Sequence, residues 1–158
     1  MILDTYTEFC SAESVAAAAS VALVGDVIDL SASGVDPGQA GKPLYVVIAC
    51  TTAIITAGTA GTIAFALASD AQAAIAVDGT ATQHFASPDY VTDDAALNDL
   101  NIGSLIAMFA LPMAGFAVYE RYLGILVTVG TTECTAGAID AFLTPDPAAW
   151  KAYADASN

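Results

Sequence analysis

The chain has 158 residues, 56% hydrophobic and 13% charged, with 17 carboxylates against 3 basic residues and a formal net charge of −14. A chain this apolar has ample surface to bury against the entropy cost of folding, so it is not intrinsically disordered, and its length suits one domain. Lys42, Arg121 and Lys151 are too few to neutralise a phosphate backbone or to hold the chain on an anionic leaflet, which excludes nucleic-acid and membrane-surface partners.

The mean hydropathy of +0.64 raises transmembrane helices as an alternative, since Pro43 to Ser69 and Leu100 to Tyr119 carry no charge. A turn-like Thr56-Ala57-Gly58-Thr59-Ala60-Gly61-Thr62 interrupts the first stretch, and Pro112 and Gly115 the second. Neither has the Lys/Arg asymmetry that orients a span. Met1-Ile2-Leu3-Asp4 lacks the basic start of a secretory signal, so the expectation is synthesis in the cytoplasm. Cys10, Cys50 and Cys134 are far apart with no C-x-x-C spacing, and read as small buried hydrophobes.

In chain order, Thr5-Tyr6-Thr7-Glu8 matches a capping box and predicts a short helix over about Tyr6 to Ala12, behind an apolar arm Met1 to Leu3. Ser14 to Val24 fits helix or strand equally. Val27 to Leu30 reads as a short strand, and Ser33 to Gly38 as a loop of turn residues. Pro43 to Thr52 is the clearest strand, β-branched and apolar on both faces. Thr62 to Ala68 alternates, with Ile63, Phe65 and Leu67 on one face and Ala64, Ala66 and Ala68 on the other. That small-residue face would let a second sheet or another subunit approach closely. Polar residues from Asp78 to Asn101 predict a long connection on one rim. Leu105 to Leu111, Tyr122 to Val129 and Gly137 to Leu143 complete the strands, the second with Leu123, Ile125, Val127 and Val129 inward. Asp146 could cap a short helix from Pro147 to Ala154. The fold class is all-β, a jelly roll or β-sandwich with short helical or extended arms at both ends.

Convergent chemistry is sparse. His84 is the lone histidine, and in a polar loop it reads as solvated. No G-x-S-x-G elbow surrounds a serine, and Gly58-x-x-Gly61 lacks the lysine of a phosphate loop. The acidic group Asp89, Asp93, Asp94 and Asp99 could attract Ca²⁺, but its spacing does not match an EF-hand loop. No catalytic residue, metal ligand or cofactor is assigned. An all-β hydrolase would need a pocket joining His84 to two carboxylates.

A family resemblance narrows the function. Met1-Ile2-Leu3-Asp4 leads to Glu8-Phe9-Cys10-Ser11-Ala12-Glu13-Ser14-Val15, then Val27-Ile28-Asp29-Leu30 and Gly41-Lys42-Pro43-Leu44-Tyr45-Val46-Val47. Glu120-Arg121-Tyr122-Leu123-Gly124-Ile125 and Thr135-Ala136-Gly137-Ala138-Ile139-Asp140-Ala141 follow. In this order the chain resembles the small capsid cement proteins of tailed phages, of the Bordetella-phage head type. The match is weak over Asp70 to Pro112. The resemblance implies a jelly-roll subunit that oligomerises and clamps neighbouring major capsid proteins on the outer surface of the virion, with no enzyme activity and no cofactor.

The organisation expected is then an N-terminal arm and short helix (1–14), one jelly roll (15–144) and a C-terminal tail (145–158). Partner contacts are expected at Met1, Ile2, Leu3, Phe9, Arg121, Trp150 and Tyr153, since apolar arms and aromatic anchors suit interfaces. Arg121 also fits a local salt bridge on a strand edge. The expected partners are the major capsid protein and a second copy, a homodimer before a trimer. A glycan- or receptor-binding module on the same scaffold is the competing class.

Overall fold

A computed structural model describes residues 5–32, 43–58, 60–92, 100–112 and 118–147. A 3₁₀ turn, Thr5–Thr7, leads into nine strands among these residues: β1 Glu8–Ser14, β2 Ser20–Asp29, β3 Tyr45–Thr56, β4 Thr62–Asp70, β5 Thr82–Ala86, β6 Tyr90–Val91, β7 Leu105–Ala110, β8 Tyr122–Gly130 and β9 Cys134–Thr144. They form two antiparallel sheets, ordered β1-β9-β3-β7 and β2-β8-β4-β5, with β6 pairing the start of β4. No helix among the described residues is long and apolar enough to cross a membrane.

The pairing follows one rule. β4 pairs β5, β3 pairs β7, β2 pairs β8 and β1 pairs β9, so the chain is a single long antiparallel ribbon closed at the β4–β5 end. Rolling that ribbon adds the β3–β9 and β4–β8 ladders and makes a jelly roll. The all-β sandwich expected from the sequence is thus the fold.

Alternation places the core as predicted on the central strands. Ile63, Phe65 and Leu67 of β4 and Leu123, Ile125, Val127 and Val129 of β8 are buried between the sheets, facing Val46, Ile48, Cys50 and Ile139 of the other sheet. Burying a large aliphatic or aromatic side chain contributes roughly 1.5–3 kcal/mol, so this layer dominates stability.

Three expectations need correction. The predicted helix over Tyr6 to Ala12 is instead the 3₁₀ turn and β1. The capping box is a local signal, and seven residues make a marginal helix. Pairing with β9 and burial of Phe9 outweigh it, and a bond from the Ala12 N–H to Asp140 Oδ1 (2.7 Å) supports Ala12 in a left-handed conformation where the register shifts.

The predicted rim connection 78–101 contains β5 and β6, which extend the second sheet. Pairing with β4 supplies the order that their weak alternation does not advertise.

The alanine face of β4 is not open to a second sheet. Ala66 and Ala68 join Leu126 and Ile75 in a second apolar cluster outside the sandwich, flanked by Val21, Leu23, Val27 and Ala81. Ile75 lies in the loop after β4, which Asp70 shapes by accepting the Gln72 and Ala76 N–H groups at 3.1 and 2.9 Å. Gly124 makes room for it: a Cβ there would sit 2.7 Å from Ile75 Cδ1. The chain covers this part of the face with its own residues.

Candidate functional site

Of the expected contact residues, Met1, Ile2, Leu3, Trp150 and Tyr153 lie outside the described residues, as do Asp93, Asp94 and Asp99 of the acidic group. Phe9 is in the core at 1% exposure, so its ring is not presented to a partner. The local bulge explains this, because it lets both Phe9 and Cys10 turn inward from β1.

Arg121 precedes β8 and reaches the end of β2. Its Nη2 donates to Asp29 Oδ2 at 2.8 Å and its Nε to both carboxylate oxygens at 3.2 Å, while its guanidinium lies 4.9 Å over the Tyr122 ring. The Arg121 bonds, then the Ser31 hydroxyl, hold Asp29 well below the usual carboxylate range, and Asp29 raises Arg121 in return. Both side chains are solvent-accessible, so this is the local salt bridge that the sequence allowed.

The densest polar constellation is one that the sequence did not assemble. Ser69 is the last residue but one of β4, His84 sits in β5, and residues 118–120 cross beside them. Ser69 Oγ lies 2.8 Å from His84 Nε2 and accepts the Glu120 N–H at 3.1 Å. Thr82 Oγ1 donates to Glu120 Oε1 at 3.0 Å. The His84 ring stacks on Tyr119 with centroids 3.8 Å apart, and the Tyr119 hydroxyl donates to the Pro112 carbonyl at 2.7 Å. Burial lowers the His84 pKa against the opposing pull of Glu120, and burial pushes Tyr119 up to about 12.

A serine hydroxyl against an imidazole is the spacing of a nucleophile and its base. Here Ser69 is 0% exposed, so its hydroxyl meets no solvent-borne substrate. The arrangement instead ties the segment before β8 to the β4–β5 pair. His84, expected to be solvated, is a stacked and hydrogen-bonded part of that tie. No signal within a few residues of His84 could show this, because its partners come from β4 and from the approach to β8.

A recess of about 620 Å³ opens between β1 and β2 and is lined by Tyr6, Glu8, Cys10, Glu13, Asp26 and Val27 among others. Among the described residues no group of three His, Cys, Asp or Glu side chains could hold a metal. The cysteines are free and buried, and burial raises Cys10 and Cys50 to about 12 and raises Cys134 as well. They pack as the small hydrophobes the sequence predicted.

Exposed apolar groups are also present among the described residues. On one side of the sandwich β5 and β7 meet through a Phe85–Phe109 stack with centroids 4.0 Å apart, and the Tyr90 hydroxyl donates to the Ile106 carbonyl at 3.2 Å. Ile102, Leu105 and Met108 are exposed in and just before β7, as is Val91 of β6.

Compared with known proteins, the chain matches the family model described as Bbp16 over residues 9–143, which spans the rolled ribbon from β1 to β9. No curated protein matches it.

Proposed function

The chain belongs to the Bbp16 family, a Bordetella phage protein family, and from that premise we propose that it is a structural virion protein that cements the capsid. In this reading it binds the outside of the head and clamps neighbouring major capsid proteins. The family match across the whole jelly roll carries the proposal. Cement acts by mass action: many modest interfaces, each available on the assembled lattice and not on free subunits, together stabilise the shell. A net charge of −14 keeps such a protein soluble before assembly and favours basic patches on the receiving capsid. The expected protomer arrangement is a homodimer at two-fold positions, with a trimer at three-fold positions as the alternative. The arm Met1 to Leu3, with Trp150 and Tyr153 of the tail, are the proposed clamp segments.

The test is purified heads with and without this chain. Stoichiometric copies on wild-type heads, lower heat tolerance without them and recovery on re-addition are expected, with binding that weakens as salt rises. A chain missing from virions, or one whose loss leaves heat and pressure tolerance unchanged, overturns the proposal.

A further inference from the structure

His84 is the extra residue of a bulge. Leu67 of β4 pairs Phe85 and Ala68 pairs Gln83, so His84 between them has no residue of its own opposite. Bulges re-aim a side chain, and this one sets the imidazole against two groups from elsewhere in the chain, the Ser69 hydroxyl and the Tyr119 ring.

The hydroxyl's neighbours fix the protonation of the ring. Among the described residues Ser69 Oγ has two hydrogen-bond neighbours, the Glu120 N–H at 3.1 Å and His84 Nε2 at 2.8 Å. The first can only donate, so the hydroxyl's own proton has Nε2 as its acceptor. Nε2 is therefore bare, and neutral His84 carries its hydrogen on Nδ1. Protonating the ring puts a hydrogen on Nε2 as well. Ser69 Oγ then faces two donors, and its own proton loses its acceptor in a residue that is 0% exposed. An orphaned buried donor carries a penalty of about tenfold or more in an equilibrium constant.

Residues 118–120 hang on this cluster. Glu120 is held by Ser69 through its N–H and by Thr82 Oγ1 through its carboxylate, and Tyr119 by the His84 stack and its bond to the Pro112 carbonyl. Beyond Glu120 the chain is held without His84. The Arg121 carbonyl accepts the Leu30 N–H at 2.9 Å, the Arg121 guanidinium binds Asp29, and Tyr122 enters the ladders with β4 and β2. A disturbance at His84 thus has a boundary, behind which the strands keep their pairing.

We propose that His84, Ser69 and residues 118–120 form a proton-operated latch, closed while the imidazole is neutral and released when it takes a proton. Release lets the ring turn to solvent, lets water reach the Ser69 hydroxyl and presents Tyr119 beside Val118, which is already 80% exposed. The groups facing the ring set the working range. From β4 and β5 come Ser69 and Thr82, which do not titrate, and Asp70 is engaged by the Gln72 and Ala76 N–H groups. Tyr119, pushed up to about 12, stays neutral. Glu120 favours the cation, and burial opposes it with the larger effect. The latch therefore releases below the ordinary histidine pKa of about 6.5, and the Glu120 carboxylate limits how far below.

The experiment is amide exchange on the full chain across pH 5–8, each rate divided by that of an unstructured peptide at the same pH, beside an NMR titration of the His84 ring. Protection of the Glu120 N–H is expected to fall about tenfold or more as the ring titrates, with the same midpoint. Low urea should leave exchange at Glu120 unchanged while it speeds amides in the middle of β8, the mark of a local opening. His84→Asn holds Glu120 protection level across the range. Glu120→Gln keeps an acceptor for Thr82 but removes the charge that favours the cation, so the midpoint moves to lower pH. Constant protection while the ring titrates, or a fall that persists in His84→Asn, overturns the proposal. So does urea sensitivity at Glu120 equal to that of β8, which would make the event global unfolding. If His84→Asn does not fold, the shared midpoint in the native chain and the Glu120→Gln shift decide, and the absence of either overturns the latch.

Discussion

The two long sides of the sandwich are closed in different ways. On the β1–β2 side, backbone meets backbone: Gly25, at φ +66° in the β2 bulge, lies where a Cβ would collide with the Phe9 carbonyl oxygen and sit 2.5 Å from Cys10 Cβ. On the β5–β7 side, aromatic side chains span the gap through Phe85, Phe109 and Tyr90. Closure by backbone tolerates no added atom at the point of approach. Closure by side chains yields to smaller residues. The first is an integrity side, held backbone to backbone, and the second a contact side, where side chains meet across the gap.

That difference can be broken from either side. Gly25→Ala adds a Cβ against immovable backbone in a conformation L-residues adopt at a cost, so a loss of at least about 4 kcal/mol is expected. Urea unfolding of the variant measures it. Phe109→Ala opens a partly buried stack and should cost about 2–3 kcal/mol, with the fold retained. If the Phe109 variant proves the less stable of the two, the ranking of the closures is inverted.

Period-two alternation made the central strands legible, because Ile63, Phe65 and Leu67, or Leu123, Ile125 and Val127, declare a buried face within seven residues. Interactions that join distant segments were not legible. Ile75 sits in an alanine-rich loop and gains meaning only against Gly124, which nothing in its own neighbourhood announces. His84 lies in a polar stretch, and its environment depends on Ser69 and Tyr119 from other strands' ends. β1 misled because its helix signal is local and its strand partner, β9, lies at the far end of the chain. The candidate site suffered most, since its groups come from β4, β5 and the approach to β8, and only the topology brings them together.

On the contact side, His84 supplies a pH dependence. Burial lowers its folded pKa below the unfolded value of about 6.5. The unfolded chain therefore binds the proton more readily, so stability is fully present above that value and declines as pH falls toward the folded pKa. Denaturation series across pH 5–8 should show this slope in the native chain and a flatter one in His84→Asn. An unchanged slope in the variant would assign the effect to other groups.

The smallest effect belongs to the integrity side. Arg121→Ala removes the partner that depresses Asp29, but both side chains are solvent-accessible and water screens their attraction. The sign is fixed by the depressed carboxylate. The contribution is present above the ordinary Asp pKa of about 3.9 and is lost as pH falls through the lower folded value. The expected outcome is a small drop in Tm at neutral pH and low salt that shrinks in high salt and again in strong acid. A drop as large as that of Phe109→Ala would mean that the β2–β8 corner depends on this pair to hold its strands together. The backbone closure at Gly25 would then no longer suffice to explain why that side is the rigid one.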